Sequence, residues 1–285
     1  MGAFDPGTPS TARMYDYYLG GKDNYPADRE AAEEVIARMP PGTIRIAARQ
    51  NRMFLGRAVR YVAEQGVRQF LDVGTGLPSM GNVHEVAHDV APDCRVVYVD
   101  HDPVVLAHGR DMLDSVSGAA IVGYDLRQPD AILADRELLD LLDLSQPVAV
   151  LLVAVLHFIQ DAEDPRGILA RLMDAMAPGS YLVISHATAD SFRELDDAIQ
   201  TYTTASSSMH NRTRAEVEAL FAGLDLVEPG VVWLSQWHPD ADTGLADDPG
   251  RSLCWCGVAR KPAARRAAPA KLMRPSPASG RAHRG

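Results

Sequence analysis

Residues 70–82 constrain the fold of this chain most, because an apolar run there meets closely spaced glycines. The segment is Phe-Leu-Asp-Val-Gly-Thr-Gly-Leu-Pro-Ser-Met-Gly-Asn, with Gly74 and Gly76 directly after the apolar residues. A strand that ends at a glycine turn before a helix cradles nucleotide-like ligands, since the turn lets the ligand approach the backbone. Asp72 is near the end of this strand, where a carboxylate suits a ligand with an ammonium group. The segment predicts a strand, a ligand-binding turn and a helix that begins at Pro78.

A dinucleotide-binding turn is the main alternative at this segment. Its fingerprint needs a third glycine three residues after the second, and position 79 is Ser79. Asp72 would also face the pyrophosphate of a dinucleotide, whereas S-adenosylmethionine has a cationic aminoacyl end and no phosphate. The charge favours S-adenosylmethionine, although a Gly-x-Gly turn alone is also compatible with a simple tight loop.

A second strand ends in an acid one βα unit later. Residues 95–99 are mostly apolar and run into Asp100, and Asp102 then precedes Pro103 as the predicted N-cap of a helix. An acid at the end of the neighbouring strand accepts both ribose hydroxyls in nucleotide-binding folds. The alternative is that Asp100 only caps the helix, but Asp102 already fills that role.

A third acid follows the same pattern. Residues 119–124 form a short apolar run that ends at Asp125. Its carboxylate either accepts the adenine amino group or serves only the turn before Pro129, which is a common use of Asp.

The glycine turn and the three strand-end acids resemble the class I, Rossmann-like S-adenosylmethionine-dependent methyltransferases over residues 66–260. Residues 12–25, Ala-Arg-Met-Tyr-Asp-Tyr-Tyr-Leu-Gly-Gly-Lys-Asp-Asn-Tyr, extend the likeness to 8–260 and to a bacterial family formerly catalogued as a domain of unknown function. Pro78 replaces the third loop glycine of the broader class, as expected for the narrower family. The resemblance implies S-adenosyl-L-methionine as cofactor, held by Asp72, Gly74, Thr75, Gly76, Asp100, His101, Asp125, Leu126 and Ala154.

The pattern along the chain predicts an α/β fold. Residues 147–155 have the length and β-branched content of a buried central strand, and strands alternate with helices as in a parallel sheet. The resemblance implies a Rossmann-like, mostly parallel seven-stranded sheet flanked by helices, with an antiparallel last hairpin. We expect an N-terminal helical cap or lid over 1–65, the methyltransferase core over 66–260 and a basic disordered tail over 261–285.

Three helices are predicted before the first core strand, at about 9–19, 26–38 and 43–65. Residues 20–25, Gly-Gly-Lys-Asp-Asn-Tyr, connect the first two and form either a lid over the cofactor or a plain connector. The resemblance favours the lid. Asn51 is on the apolar stripe of the third helix, where it either caps a local group or reaches the ligand pocket. The predicted lid and substrate residues are Tyr15, Lys22, Asn24, Tyr25 and Asn51.

Methyl transfer needs an acceptor in line with the methyl group and often a base that removes a proton. His157 follows the central strand and His186 follows the next one, at the edge where such groups are expected. Either is a candidate catalytic base, and the alternative for both is a structural histidine. The stretch 206–210 and the polar loop near Trp237 are further candidates for the acceptor pocket, by position only.

Composition excludes several classes of protein. No segment has the roughly 18 apolar residues of a membrane span, and the N-terminus lacks a secretory signal, so we expect a cytoplasmic protein. The three cysteines, Cys94, Cys254 and Cys256, are too few for an iron–sulfur cluster or a four-cysteine zinc site, so no metal is expected. The net charge of −10, despite a basic tail, disfavours a nucleic-acid substrate.

The sequence therefore predicts a methyltransferase that uses S-adenosyl-L-methionine and acts on a small-molecule acceptor, with no nucleic-acid or membrane partner. Two alternatives remain open at this point. An NAD(P)-dependent oxidoreductase shares the fold class, and a non-catalytic regulator that binds S-adenosylmethionine would keep the same three acids.

Overall fold

The computed structural model describes residues 5–79, 81–191, 209–240 and 248–263. These residues form one mixed β-sheet flanked by helices. The strands are β1 Gln69–Val73, β2 Arg95–Asp100, β3 Ala119–Gly123, β4 Ala149–Val153, β5 Tyr181–Ala187, β6 Asp225–Leu226, β7 Val232–Trp233 and β8 Cys254–Arg260. The helices are α1 Thr11–Leu19, α2 Pro26–Ala37, α3 Thr43–Glu64, α4 Val83–Val90, α5 Pro103–Leu113, α6 Pro129–Leu133, α7 Arg136–Leu141, α8 Pro165–Ala175 and α9 Arg214–Ala219.

The sheet order is β3-β2-β1-β4-β5-β8-β6, with β7 also paired to β8. The first five strands in this order are parallel, and β8 runs antiparallel to both of its neighbours. The Rossmann-like, mostly parallel fold predicted from the sequence is confirmed. The carboxyl ends of β1, β2, β3 and β4 meet at one edge, so residues that follow these strands are brought together.

Both faces of the sheet are covered, which explains the nearly continuous apolar strands. All five residues of β1 are buried, and successive side chains point to opposite faces. Phe70 packs in the cluster that includes Phe54 and Val62 of α3, whereas Leu71 packs in the cluster of Leu152 on the other face.

The long helix α3 has two different halves. Its C-terminal half inserts Phe54, Ala58 and Val62 into the core, where each is fully buried. Its N-terminal half packs instead with α1 and α2 in a separate small cluster that contains Met14, Ala32, Val35 and Ala48. The three predicted N-terminal helices are confirmed, and only the second half of α3 is integral to the core.

One prediction about an element is wrong. The helix after the glycine turn begins at Val83 rather than Pro78, because Asn82 and Glu85 form a capping box in which Glu85 Oε2 accepts the Asn82 N–H at 2.8 Å. Residues 225–234 form two short strands, β6 and β7, which are separated by a turn in which the Gly230 N–H bonds the Val227 carbonyl at 2.8 Å. The described residues therefore form an eight-stranded sheet, with β6 and β7 both paired to β8.

Within the described residues, no helix is both long and apolar enough to cross a membrane. Most of the predicted basic tail, from residue 264 onward, is outside the described residues, as are residues 206–208 of the predicted acceptor-pocket stretch.

Candidate functional site

A cavity of about 660 Å³ opens at the carboxyl edge of the parallel strands. Asp72 of β1, Asp100 of β2 and Asp125 after β3 all line it, so the fold brings the three strand-end acids to one space. Asp72 and Asp100 are buried, with 5% and 6% of their surfaces exposed. The other predicted cofactor residues that line the cavity are Gly74, Thr75, Gly76, His101, Leu126 and Ala154.

The two turn glycines, Gly74 and Gly76, lie in different surroundings. Both have positive φ, +76° at Gly74 and +68° at Gly76, which L side chains rarely adopt. A Cβ at Gly74 would lie 2.4 Å from the Val155 side chain, so the turn packs tightly against the loop after β4. A Cβ at Gly76 would meet nothing within 4 Å, and Gly76 faces the cavity. The turn is packed beneath and open toward the ligand space.

Asp100 is held rigidly by backbone donors. Its Oδ2 accepts the N–H of Gly76 at 2.9 Å, and its Oδ1 accepts those of His101 and Asp102 at 2.7 and 2.9 Å. Burial raises the pKa of Asp100 while these bonds lower it. Helix capping falls to Asp102, whose carboxylate accepts the Val104 N–H as predicted. The fixed carboxylate of Asp100 suits recognition of a ribose diol.

Asp125 serves a turn and also lines the cavity. Its Oδ1 accepts the Arg127 N–H at 2.8 Å, and the Arg127 guanidinium lies 3.3 Å from the same oxygen. Arg127 also pairs with Glu163 and donates to the Phe158 carbonyl. The turn role and the ligand role of Asp125, which the sequence left as alternatives, are therefore geometrically compatible.

Asp72 is a buried carboxylate whose loss of hydration is only partly offset by hydrogen bonds and nearby charge. Burial raises its pKa to about 6, although a hydrogen bond from Thr75 and the charge of Arg52 act in the opposite direction. A positively charged ligand group beside Asp72 would favour the ionised form. The site therefore fits the ammonium end of S-adenosylmethionine, and it fits a phosphate poorly.

His157 and His186 differ in access to the cavity. His157 lines it, but His186 does not and is fully buried. The Arg212 guanidinium donates to His186 Nε2 at 2.8 Å, so His186 carries its proton on Nδ1 and donates it to the Ala187 carbonyl. Burial lowers the pKa of His186 to about 4. Because its ring is paired inside the protein, this geometry favours the alternative role of His186 as a structural histidine.

His157 remains neutral in this environment. Burial lowers its pKa well below the ordinary value, and nearby His186 and Arg212 lower it further. Its Nδ1 accepts the Ala187 N–H at 3.4 Å, so the proton of the neutral ring is on Nε2. This arrangement favours His157 as a hydrogen-bond donor over a general base.

A chain of hydrogen bonds links the N-terminal helices to the strand edge. Tyr15 donates to the Ala48 carbonyl at 3.0 Å and accepts from Asn51 Nδ2 at 2.9 Å. Asn51 Oδ1 accepts the Ser185 hydroxyl at 2.5 Å, and Ser185 Oγ accepts the Ala154 N–H at 2.9 Å. Tyr15 and Asn51 both line the cavity, so both alternatives for Asn51, local bonding and pocket contact, hold at once.

The other predicted lid residues do not reach the cavity. Lys22 is exposed, and Asn24 Nδ2 donates to Asp16 at 2.8 Å, which ties the turn to the end of α1. Tyr25 is 36% exposed and has the Arg13 guanidinium 5.5 Å from its ring centroid. In this structure residues 20–25 connect α1 to α2 and do not line the cavity. The cavity is instead covered by α1, the end of α2 and the first half of α3.

Sequence reasoning missed the contacts that join α1 to α2 and to the core. Arg13 and Asp28 form a buried ion pair at 2.8 Å, and the Ser10 hydroxyl donates to Asp102 at 2.5 Å. Asp102 is two residues from Asp100, so α1 attaches to the core beside this cavity-lining acid. The residues are distant in the chain, and no local motif signals this contact.

Trp237 and the three cysteines are buried. Trp237 is fully buried, with its ring 5.6 Å from that of Phe54, so it belongs to the core. Cys94, Cys254 and Cys256 are buried free thiols. In the described part of the chain, no group of three or more His, Cys, Asp or Glu side chains is arranged to hold a metal ion.

Comparisons with known proteins agree on one family. A family model described as S-adenosyl methyltransferase matches residues 2–262. A solved structure from Streptomyces avermitilis, of a domain-of-unknown-function family, is 43% identical with a TM-score of 0.86, covering 90% of this chain and 99% of that one. A candidate methyltransferase from Thermobifida fusca is 39% identical with a TM-score of 0.84, covering 90% and 96%. No protein with a curated description matches the chain.

Proposed function

The chain belongs to the S-adenosyl methyltransferase family, and from that premise we propose that its methyl acceptor is a small molecule bound between the glycine turn and the N-terminal helices. The predicted S-adenosylmethionine-dependent methyltransferase activity is confirmed by this membership. The oxidoreductase alternative loses its basis.

The observation that carries the proposal is the composition of the cavity walls. One wall consists of the strand ends, with Asp72, Asp100 and Asp125. The opposite wall is formed by α1, α2 and α3 and is mostly apolar. A cavity of about 660 Å³ has the size of sites for small ligands, and the two walls provide separate places for a cofactor and an acceptor. The apolar side chains of the helical wall are Met14, Tyr18, Val35, Met39, Ile44, Ala47, Ala48 and Leu55.

The strand-end wall supplies groups that match S-adenosylmethionine. Asp72 would hold the ammonium group, Asp100 the ribose hydroxyls and Asp125 the adenine amino group, while Gly76 allows close approach. When bound, this cofactor supplies an electrophilic methyl group on a sulfonium. The remaining work of the protein is to orient the acceptor and exclude water.

His157, Tyr15 and Asn51 are the polar groups that we assign to acceptor orientation. All three line the cavity, and each is fixed by a hydrogen bond to the backbone or to another side chain. Burial raises the pKa of Tyr15 to about 12, so its hydroxyl stays protonated near neutral pH and cannot accept a proton from the acceptor. We therefore propose that these groups position the acceptor and do not remove its proton.

Calorimetric titration with S-adenosylmethionine, S-adenosylhomocysteine and NADH tests the cofactor assignment. We expect saturable binding of the first two ligands and none of NADH. Binding of NADH alone, or failure of both adenosyl ligands to bind, would contradict the proposal. Acceptor screening then follows methyl incorporation by mass spectrometry, with a panel of small molecules and a panel of peptides; methylation of peptides alone would refute a small-molecule acceptor.

A further inference from the structure

The cavity contains three arginines among the described residues that line it, namely Arg38, Arg52 and Arg127. Two of them, Arg52 and Arg127, interact with groups on the strand-end wall or beside the glycine turn. Arg127 pairs with Asp125 and Glu163. Arg52 donates to the Gly81 carbonyl at 3.1 Å and lowers the pKa of Asp72 through its charge.

Arg38 differs from both. Its side chain forms no hydrogen bond or ion pair with any other described residue, and it is only partly exposed. It is the C-cap residue of α2 and has helical backbone angles, φ −88° and ψ −8°. A cation at a helix C-terminus interacts favourably with the helix dipole, which accounts for a basic residue at this position. The dipole does not account for a guanidinium that lines a cavity.

The cavity-lining residues that neighbour Arg38 in the chain are apolar. Val35 precedes it by one helical turn, Met39 follows it, and both line the cavity together with Tyr18 and Ile44. No aspartate or glutamate lines this wall among the described residues, since the lining acids are Asp72, Asp100, Asp102 and Asp125 at the strand edge. A guanidinium in such surroundings binds an anion strongly, because apolar neighbours reduce screening by water. Its planar fork matches a carboxylate through two parallel hydrogen bonds.

We propose that the acceptor is an apolar small molecule that bears a carboxylate, and that Arg38 holds this carboxylate against the α1–α3 wall. This inference rests on the proposed function, because it places the acceptor opposite the cofactor groups. Arg38 is then a specificity-determining residue that selects acids over neutral analogues of the same shape.

The test compares carboxylates with their amides as probes. 1-Naphthoate and octanoate, each beside its primary amide, are titrated into the full chain saturated with S-adenosylhomocysteine. The proteins are the wild type, Arg38→Gln, Arg38→Lys and the control Arg49→Gln, which removes the same charge from an exposed position outside the cavity. S-Adenosylhomocysteine binding is measured first for each protein.

We expect the wild type to bind at least one carboxylate about 10- to 100-fold more tightly than its amide, as for a charged hydrogen-bonded pair. Arg38→Gln should lose this preference, Arg38→Lys should retain part of it because it keeps the charge, and Arg49→Gln should retain all of it. S-Adenosylhomocysteine should bind all four proteins equally.

Failure of the wild type to prefer either acid, including failure to bind any probe, overturns the inference. Retention of the full preference in Arg38→Gln also overturns it. These results leave the methyltransferase assignment intact if S-adenosylhomocysteine binds. Loss of S-adenosylhomocysteine binding by the wild type would instead contradict the cofactor site. The wild-type comparison of acid with amide needs no variant, so misfolding of a variant does not decide the outcome.

Discussion

Replacing Asp72 with Asn should stabilise the protein without ligand while weakening cofactor binding. Burial raises the pKa of Asp72 from 3.8 to about 6, so the folded state holds the carboxylate proton more tightly than the unfolded state. Stability therefore falls as pH rises from about 4 to about 6, and the whole penalty is present above pH 6. The amide of the Asp72→Asn variant does not ionise, so the variant escapes this penalty.

The magnitude follows from the two pKa values. One pKa unit is worth about 1.4 kcal/mol, so the difference between 3.8 and about 6 corresponds to about 3 kcal/mol. At pH 8 the Asp72→Asn variant should be more stable than the wild type by about that amount, or roughly 6–12 °C in Tm for a chain of this size. At pH 3.5 the difference should nearly vanish, because Asp72 is then protonated in the folded state and mostly protonated in the unfolded state.

Urea unfolding at pH 8 and at pH 3.5, with ligand-free protein, measures this effect. Asp89→Asn is the control, because Asp89 is exposed on α4 and its replacement removes the same charge. The same variants are titrated with S-adenosylmethionine, for which Asp72→Asn should lose at least about tenfold in affinity because an ion pair is lost. If Asp72→Asn is no more stable than the wild type at pH 8, the burial argument for this carboxylate is refuted.

Three other outcomes are expected. Asp100→Ala should weaken S-adenosylmethionine binding at least about tenfold in calorimetry, since a charged acceptor of hydrogen bonds is removed; unchanged affinity would contradict the ribose role. His157→Gln should retain more methyl transfer than His157→Ala once an acceptor is known, because Gln keeps a donor, and equal losses would argue against positioning. Tyr15→Phe should cost about 1–2 kcal/mol in urea unfolding, whereas Tyr17→Phe, which removes an exposed bond to Glu33, should cost less than about 0.5 kcal/mol; equal costs would show that the buried bonds add nothing.

The strand-end acids were predictable because their signal is local. Each acid comes at or just after an apolar run of strand length, and parallel strands bring such positions to one edge. The N-cap role of Asp102 was equally local, since Pro103 marks the first residue of α5.

Sequence reasoning falls short where a competing local signal or a distant partner decides the structure. Pro78 is a plausible helix start, but the Asn82–Glu85 capping box provides a stronger one four residues later. The position of His186 after a strand suggested catalysis, and only the fold shows that Arg212 meets its ring. The side-chain amide of Asn24 could contact a ligand, but in the structure it donates a hydrogen bond to Asp16.

Arg38 shows a different limit of sequence reasoning. A basic residue at the end of a helix has an ordinary explanation in the helix dipole, so its chemistry is visible only when the cavity is known. The same holds for Ser10 and Arg13, whose contacts to Asp102 depend on how α1 packs against the core.

The divided helix α3 has a consequence for how acceptor preference can diverge among related chains. Ile44 and Ala47 line the cavity from the half that packs outside the main core, whereas Phe54 and Ala58 anchor the other half in it. Exchanges at Ile44 or Ala47 would reshape the wall that we propose holds the acceptor, with little disturbance of the sheet, while the anchored half would keep the wall in place. If the proposed acceptor site holds, selection could change which molecule is methylated one side chain at a time, without altering the residues that hold the methyl donor.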